Sequence, residues 1–192
     1  MTAFTSLSQI PLFRYGLIMA DPAWKFENWS SKGEEKNPSA HYRCMSLDEI
    51  KNLPVGHYAA KDCLLWLWTT NPMLRVAFDV IDAWGFRFVT AGHWVKRTKH
   101  GKLAFGTGYA LRCAGEPFLL ASNGSPETAK NVRSVIEGPL REHSRKPDEA
   151  YTEAERLCGD VSRLDLFSRQ ERPGWDCFGN ETDKFGGSEN AA

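Results

Sequence analysis

Gly16-Leu17-Ile18-Met19-Ala20-Asp21-Pro22-Ala23-Trp24 is the stretch that decides how this chain is read. Its first five residues are an uncharged, largely apolar run that reads as a buried strand. A carboxylate, a rigid proline and a large aromatic then stand where that strand gives way to a loop. In open α/β folds the carboxyl edge of the sheet is where ligands bind. An amino group conjugated to an aromatic ring is a poor nucleophile, because its lone pair is delocalised. The Asp21 carboxylate and the Pro22 carbonyl could each accept one of its N–H bonds, drawing the nitrogen toward sp³ geometry. Trp24 could stack on the ring, a contact worth about 1–3 kcal/mol per base. By itself the tetrapeptide also fits a strand-to-turn Asp-Pro followed by a core tryptophan.

Working outward, residues 63–69 form a second continuous apolar run and are expected to be a buried parallel strand. Residues 86–95, 117–122, 164–167 and 175–178 read as further strands. Ser46, with Glu49 three residues later, is an N-cap signature for a short helix. The spacing predicts a helix over 72–84 that stops at Gly85, and another over 147–157 opening on Pro147 with Asp148 and Glu149 in its first turn. Strands alternating with helices imply an α/β fold of three layers.

A chain of 192 residues, 42% hydrophobic and 25% charged, is a single soluble domain of ordinary size. We take 1–183 as that domain and 184–192, small and polar, as a flexible C-terminal tail. Its opening residues lack a signal-peptide pattern, and no run is long enough to span a bilayer, so no membrane association is expected. Five cysteines far apart, with no CxxC pair, fit neither a zinc site nor a disulfide framework. No metal is expected, and a reducing cytoplasm is the natural setting. With a net charge of zero, any argument for nucleic acid must rest on local patches.

Three more clusters carry possible chemistry. In 143–149 (HSRKPDE), Lys146 sits at a helix start, where the dipole disfavours a cation. A lysine beside a helix N-terminus makes a receptor for a carboxylate, or simply a solvated helix start. Asp165-Leu166-Phe167-Ser168-Arg169, with Asn180 and Glu181 after the next strand, could hold a ribose and an adenine, or form a turn-rich sheet edge. No GxGxxG is present. Lys96-Arg97-Thr98-Lys99-His100-Gly101-Lys102, running into Gly106-Thr107-Gly108-Tyr109, could track phosphates or be a solvated loop. Residues 25–41 form a polar connection long enough to be a lid.

Taken in order, these segments resemble the 70-kDa methyltransferase-A family. That family includes the catalytic subunit of the eukaryotic mRNA adenine-N6 methylation complex and many small bacterial and phage members regarded as DNA adenine-N6 methyltransferases. The resemblance runs from about Tyr15 to Glu181. It rests on Met19-Ala20-Asp21-Pro22-Ala23-Trp24, His41-Tyr42, Met45 to Ile50, Leu65 to Asn71, Trp84-Gly85-Phe86, Trp94-Val95-Lys96, Gly115-Glu116-Pro117, His143 to Glu149, Leu166 to Arg169, and Pro173-Gly174-Trp175 through Gly179-Asn180.

The resemblance implies a Rossmann-like S-adenosylmethionine-dependent methyltransferase fold with the acceptor motif ahead of the cofactor motif. S-adenosyl-L-methionine would be the donor and adenine N6 in nucleic acid the acceptor, in DNA by preference and in RNA as the nearest alternative. Asp21, Pro22 and Trp24 would form the acceptor site. Lys146 would pair with the donor's carboxylate. Asp21, Asp165, Phe167, Arg169, Asn180 and Glu181 would line the rest of the donor. Tyr42, Trp94, Lys96 and Glu116 would face the nucleic acid. A homodimer or a methyltransferase-like partner subunit is the expected company. The chain departs from the family pattern at Ala23, where a second proline is usual, and at Glu181, where the eukaryotic catalytic subunit has glutamine. A catalytically silent partner subunit is the alternative reading. The presence of Asp21 and Trp24 speaks against it.

Overall fold

In a computed structural model, the described residues are 1–25, 44–108, 110–142, 145–180, 182, 184 and 185. The lid-like connection from 26 onward, Tyr42, Glu181 and tail residues 186–192 fall outside them. Eight strands of the described residues make one sheet: β1 (Ala3–Phe4), β2 (Tyr15–Ala20), β3 (Ala59–Trp68), β4 (Arg87–Arg97), β5 (Gly115–Asn123), β6 (Val135–Pro139), β7 (Arg163–Leu166) and β8 (Asp176–Phe178). Their order is β1-β8-β7-β2-β3-β5-β4-β6. The helices are α1 (Leu47–Lys51), α2 (Val55–Tyr58), α3 (Leu74–Ala83) and α4 (Asp148–Cys158).

Alternation along the central strands sends side chains to two opposite cores. Ile18, Ala20, Leu65 and Leu67 pack with Ile50 of α1 and Ala77, Val80 and Ile81 of α3. Leu17, Met19, Leu64, Trp66 and Trp68 pack with Ala150, Tyr151 and Ala154 of α4. Both faces of β2 and β3 are therefore buried, which is why those segments are apolar without a break. The result is the expected three-layer, Rossmann-like α/β arrangement.

The pairing of β3 corrects one expectation. It is parallel to β2 but antiparallel to β5, and β5 is in turn antiparallel to β4. A continuous apolar run reports burial on two faces, not the direction of the neighbours. The first turn over 71–73 is a 3-10 turn carrying Pro72, so α3 begins only at Leu74. Its end falls where the sequence predicts: Gly85 has φ of 78°, a left-handed conformation that closes the helix after Trp84. At α1, Ser46 and Glu49 exchange bonds as the signature requires, with Ser46 Oγ accepting from the Glu49 N–H and Glu49 Oε2 accepting from the Ser46 N–H.

Because β2, β3 and β7 run parallel, their carboxyl ends share one edge. Asp21, Thr69 and Phe167 follow those ends directly. Antiparallel β5 starts at the same edge, so Glu116 lies there too, opposite Trp94 of β4.

Candidate active site

The loop after β2 is pinned from several sides. The Asp21 N–H donates to the Leu166 carbonyl at 3.3 Å, and the Met45 N–H donates to the Ala23 carbonyl at 2.9 Å. The Trp24 N–H donates to the Pro22 carbonyl at 2.8 Å. Trp24 itself is only 4% exposed, and its indole N–H donates to the Trp68 carbonyl at 3.1 Å. The open stacking ring expected from the sequence is thus replaced by a core tryptophan that anchors the turn to β3.

Asp21 heads a chain of alternating charges. Lys146 Nζ lies 2.9 Å from Asp21 Oδ2 and also bonds Glu116 Oε1. The other Glu116 oxygen takes Lys96 Nζ at 2.9 Å. The Lys146 side chain is 8% exposed and that of Asp21 25%, so the pair faces the solvent from the carboxylate side. Burial works to raise Glu116, but Lys146 and Lys96 outweigh it and hold its carboxyl at about 2. Burial likewise opposes the Lys146 charge, and Asp21 and Glu116 overcome it, keeping the ammonium above the ordinary lysine range. Asp21 goes the other way: burial, reinforced by Glu116, raises its carboxyl although Lys146 pulls it down.

Beside this chain lies a cleft lined by residues that include Asp21, Lys146, Asp165, Phe167, Arg169 and Gln170. Asp165, 3% exposed at the end of β7, accepts the Tyr151 hydroxyl at 2.9 Å. Burial pushes its carboxyl up to about 6 against the opposing bonds from Ser168 and Tyr151. Phe167 adopts φ of 67°, a left-handed backbone in a non-glycine residue. Gly179 lies hard against this turn: a Cβ there would meet the Ser168 carbonyl oxygen at 2.0 Å. Gln170 Oε1 is buried with no hydrogen-bond partner among the described residues.

Asp21, Lys146, Asp165, Phe167 and Arg169 are therefore brought to one cleft, with Lys96 and Glu116 attached through Lys146. Asn180 is exposed beyond β8 and is not part of the lining. Trp94, expected on the nucleic-acid side, is instead 2% exposed, with its N–H donating to the Gly138 carbonyl at 3.3 Å. It packs edge-on to Trp68 and meets the site only through the Lys96 ammonium 4.5 Å above its ring. Sequence reasoning missed Tyr151, Gln170 and Arg172, which also line the cleft. The Arg172 guanidinium sits 3.8 Å over the Tyr151 ring and pairs with Asp148. A tyrosine one turn into the helix that Lys146 precedes was the available signal. Among the described residues, no group of three or more His, Cys, Asp or Glu could hold a metal ion. No helix there is long and apolar enough to cross a membrane.

The MT-A70 family model matches residues 15–181. The chain is 31% identical to the N(6)-adenosine-methyltransferase MT-A70-like protein of Arabidopsis thaliana, over 87% of this chain and 24% of that protein. It is 27% identical to the type II methyltransferase M.MunI of Mycoplasma sp, over 90% of this chain and 80% of that protein. To the human N(6)-adenine-specific methyltransferase METTL4 it is 29% identical, over 91% of this chain and 40% of that protein. The chain spans about a quarter of the length of the plant relatives it matches.

Proposed function

From the premise that this chain belongs to the MT-A70 family, we propose that it transfers a methyl group from S-adenosyl-L-methionine to the N6 amine of adenine, in DNA by preference. The observation that carries this reading is Asp21 at the carboxyl end of β2, fixed 2.9 Å from the Lys146 ammonium at the mouth of the cleft.

The cleft chemistry suits the donor. A lysine ammonium has three N–H donors, and Asp21 and Glu116 take two, leaving a third for the donor's carboxylate. The unpartnered Gln170 oxygen and the buried Asp165 carboxyl suit hydroxyl or amino donors, and Phe167 supplies an apolar wall. When bound, S-adenosylmethionine supplies an electrophilic methyl on its sulfonium.

The protein's own work is positional and electrostatic. Asp21 would accept one N–H of the adenine amine and the Pro22 carbonyl the other. The nitrogen lone pair is thereby directed at the methyl carbon. The sulfonium would supply the methyl and depart as the thioether, and the surplus proton left on nitrogen would have Asp21 beside it as acceptor. Holding the two reactants in line can contribute several kcal/mol, about 7–11 at the limit. Trp24 keeps Asp21 and Pro22 in register by tying their loop to Trp68. A duplex target must present its adenine flipped out of the stack, at a cost of a few kcal/mol.

DNA is favoured because the chain covers four-fifths of a compact bacterial type II methyltransferase, against a quarter of the plant adenosine methyltransferases. The test is transfer of labelled methyl to matched unmethylated DNA and RNA, read by digestion to nucleosides and mass spectrometry. N6-methyladenine in the DNA, absent with Asp21→Ala, is the expected result. Product on RNA alone would overturn the polymer assignment. Product undiminished in Asp21→Ala would overturn the mechanism.

A further inference from the structure

Arg145 and Phe185 line the cleft but take no part in the chemistry above. They arrive from different places in the chain. Arg145 stands immediately before Lys146, in the segment that leads into α4. Phe185 lies beyond the end of β8, where the chain has come back to the sheet edge that carries Asp21. Their side chains meet: the Arg145 guanidinium lies 5.1 Å from the Phe185 ring centroid.

Both ends of that contact are held. Glu142 pairs with the Arg145 guanidinium at 3.2 Å, and the Arg145 main-chain N–H donates to the Glu142 carbonyl at 3.1 Å. The Arg145 side chain is 13% exposed, so its cation is drawn out of water and gains more from a ring face than it would at the open surface. The Phe185 N–H donates to the Arg169 carbonyl at 3.3 Å, in the turn after β7. Phe185 is thereby attached to two walls of the cleft. Phe167 belongs to the wall made by the turn after β7, and Lys146 to the wall made by the approach to α4. A ring fastened to both walls spans part of the opening between them.

We propose that Phe185 is a clasp on the donor cleft: latched to Arg145, it stands between the cleft and solvent and must swing off for the donor to enter and the spent thioether to leave. Phe185 is half-buried and belongs to neither core cluster, so it can move without unpacking the sheet. A main-chain hydrogen bond and a ring–cation contact are a fastening that can open at every turnover. Both contacts run from protein to protein and neither passes through the donor. They therefore close an empty cleft and a loaded one to the same degree. Such a clasp sets the speed of exchange and leaves affinity alone, which separates it from a residue that binds the donor. The inference rests on the reading of the cleft as the S-adenosylmethionine site.

The test measures rates. Stopped-flow tryptophan fluorescence, with Trp68 in the cleft lining, follows S-adenosylmethionine binding to wild type, Phe185→Leu and Phe185→Ala. Leucine keeps an apolar side chain at the opening and loses the ring face that the guanidinium meets. Association and dissociation rates are each expected to rise about tenfold in both variants, the worth of one partly desolvated cation–π contact, with Kd within about twofold of wild type. Faster dissociation with association unchanged, and so a weaker Kd, would overturn the clasp and make Phe185 a plain contact of the donor. Wild-type rates in Phe185→Leu would overturn it too, because any apolar cover would then serve. Failure of the donor reading looks different: wild type itself would give no saturable signal with S-adenosylmethionine, and the clasp would fall with it.

Discussion

Lys146 Nζ and Asp21 Oδ2 stand 2.9 Å apart, and the same ammonium is shared with Glu116. One buried cation thus holds two part-buried carboxylates, one from the loop after β2 and one from the start of β5. Removing one partner of a fully buried pair typically costs about 3–5 kcal/mol, and here the cost is reduced because solvent reaches the Asp21 and Glu116 carboxylates. Lys146→Met keeps the length of the side chain and deletes the charge. It is expected to lower the melting temperature and to abolish the upward melting shift given by S-adenosylmethionine. Adding Glu116→Gln should recover part of the lost stability but none of the donor-induced shift. Recovery of both would show that Lys146 acts only as a counter-ion.

Trp24 gives a second prediction, since its ring is buried and its N–H is committed to the Trp68 carbonyl. Trp24→Phe removes that donor and part of the packing, at a cost of about 1–3 kcal/mol. Thermal melting should register the loss, while the KM for nucleic acid stays within about twofold, as expected for a positioning residue whose own ring leaves the base untouched. A KM that rises with the melting temperature unmoved would mean that the ring meets the base directly.

How far the sequence carried these conclusions depended on what each signal reports. The apolar run ending at Ala20 and the helix that Pro147 introduces are local patterns, and both elements lie within a residue or two of their expected bounds. The antiparallel placement of β5 between β3 and β4 is a pairing choice made across the sheet, and nothing within residues 115–123 encodes it. β6 escaped notice because Val135–Pro139 is short, ends on Gly138-Pro139 and, as an edge strand of the sheet, pairs only with β4. At the site, Lys146 was marked by being a cation at a helix start. Its link to Glu116, 30 residues earlier in the chain, became visible only with the sheet assembled. Trp94 misled in the opposite sense, because a tryptophan beside a lysine reads the same whether it faces a ligand or the core.

The buried carboxyls also set a pH dependence with opposite signs. Asp165 is raised from 3.8 to about 6, chiefly by burial, so between those values the folded protein binds more protons than the unfolded chain. Its contribution to stability therefore declines as pH rises through that window, and the full penalty, about 1–3 kcal/mol, stands above pH 6. Glu116, held at about 2, contributes stability above its ordinary value of 4.5 that is lost as pH falls toward 2. Asp165→Asn keeps an acceptor for the Tyr151 hydroxyl and cannot ionise. Denaturant titrations should find it more stable than wild type at pH 8, with the gain gone by pH 4. Equal stability at pH 8 would show that the Asp165 charge is fully compensated.

Phe167 supplies the sharpest separation of fold from function. Its φ of 67° places a non-glycine residue in the left-handed region, at a cost of roughly 1–2 kcal/mol. The residue is half-buried, packs against the core on the α3 side of the sheet and also lines the cleft. Phe167→Gly relieves the backbone strain and discards the ring, whereas Phe167→Ala discards the ring and keeps the strain. In most positions glycine is the less stable of the two, because it frees the unfolded chain. Here the order should reverse, with Phe167→Gly more stable than Phe167→Ala by about 1 kcal/mol. Both variants should bind S-adenosylmethionine more weakly by the same factor, since both lack the ring. If donor affinity instead follows backbone strain, so that only Phe167→Gly loses it, the left-handed turn rather than the phenyl wall is what the donor needs.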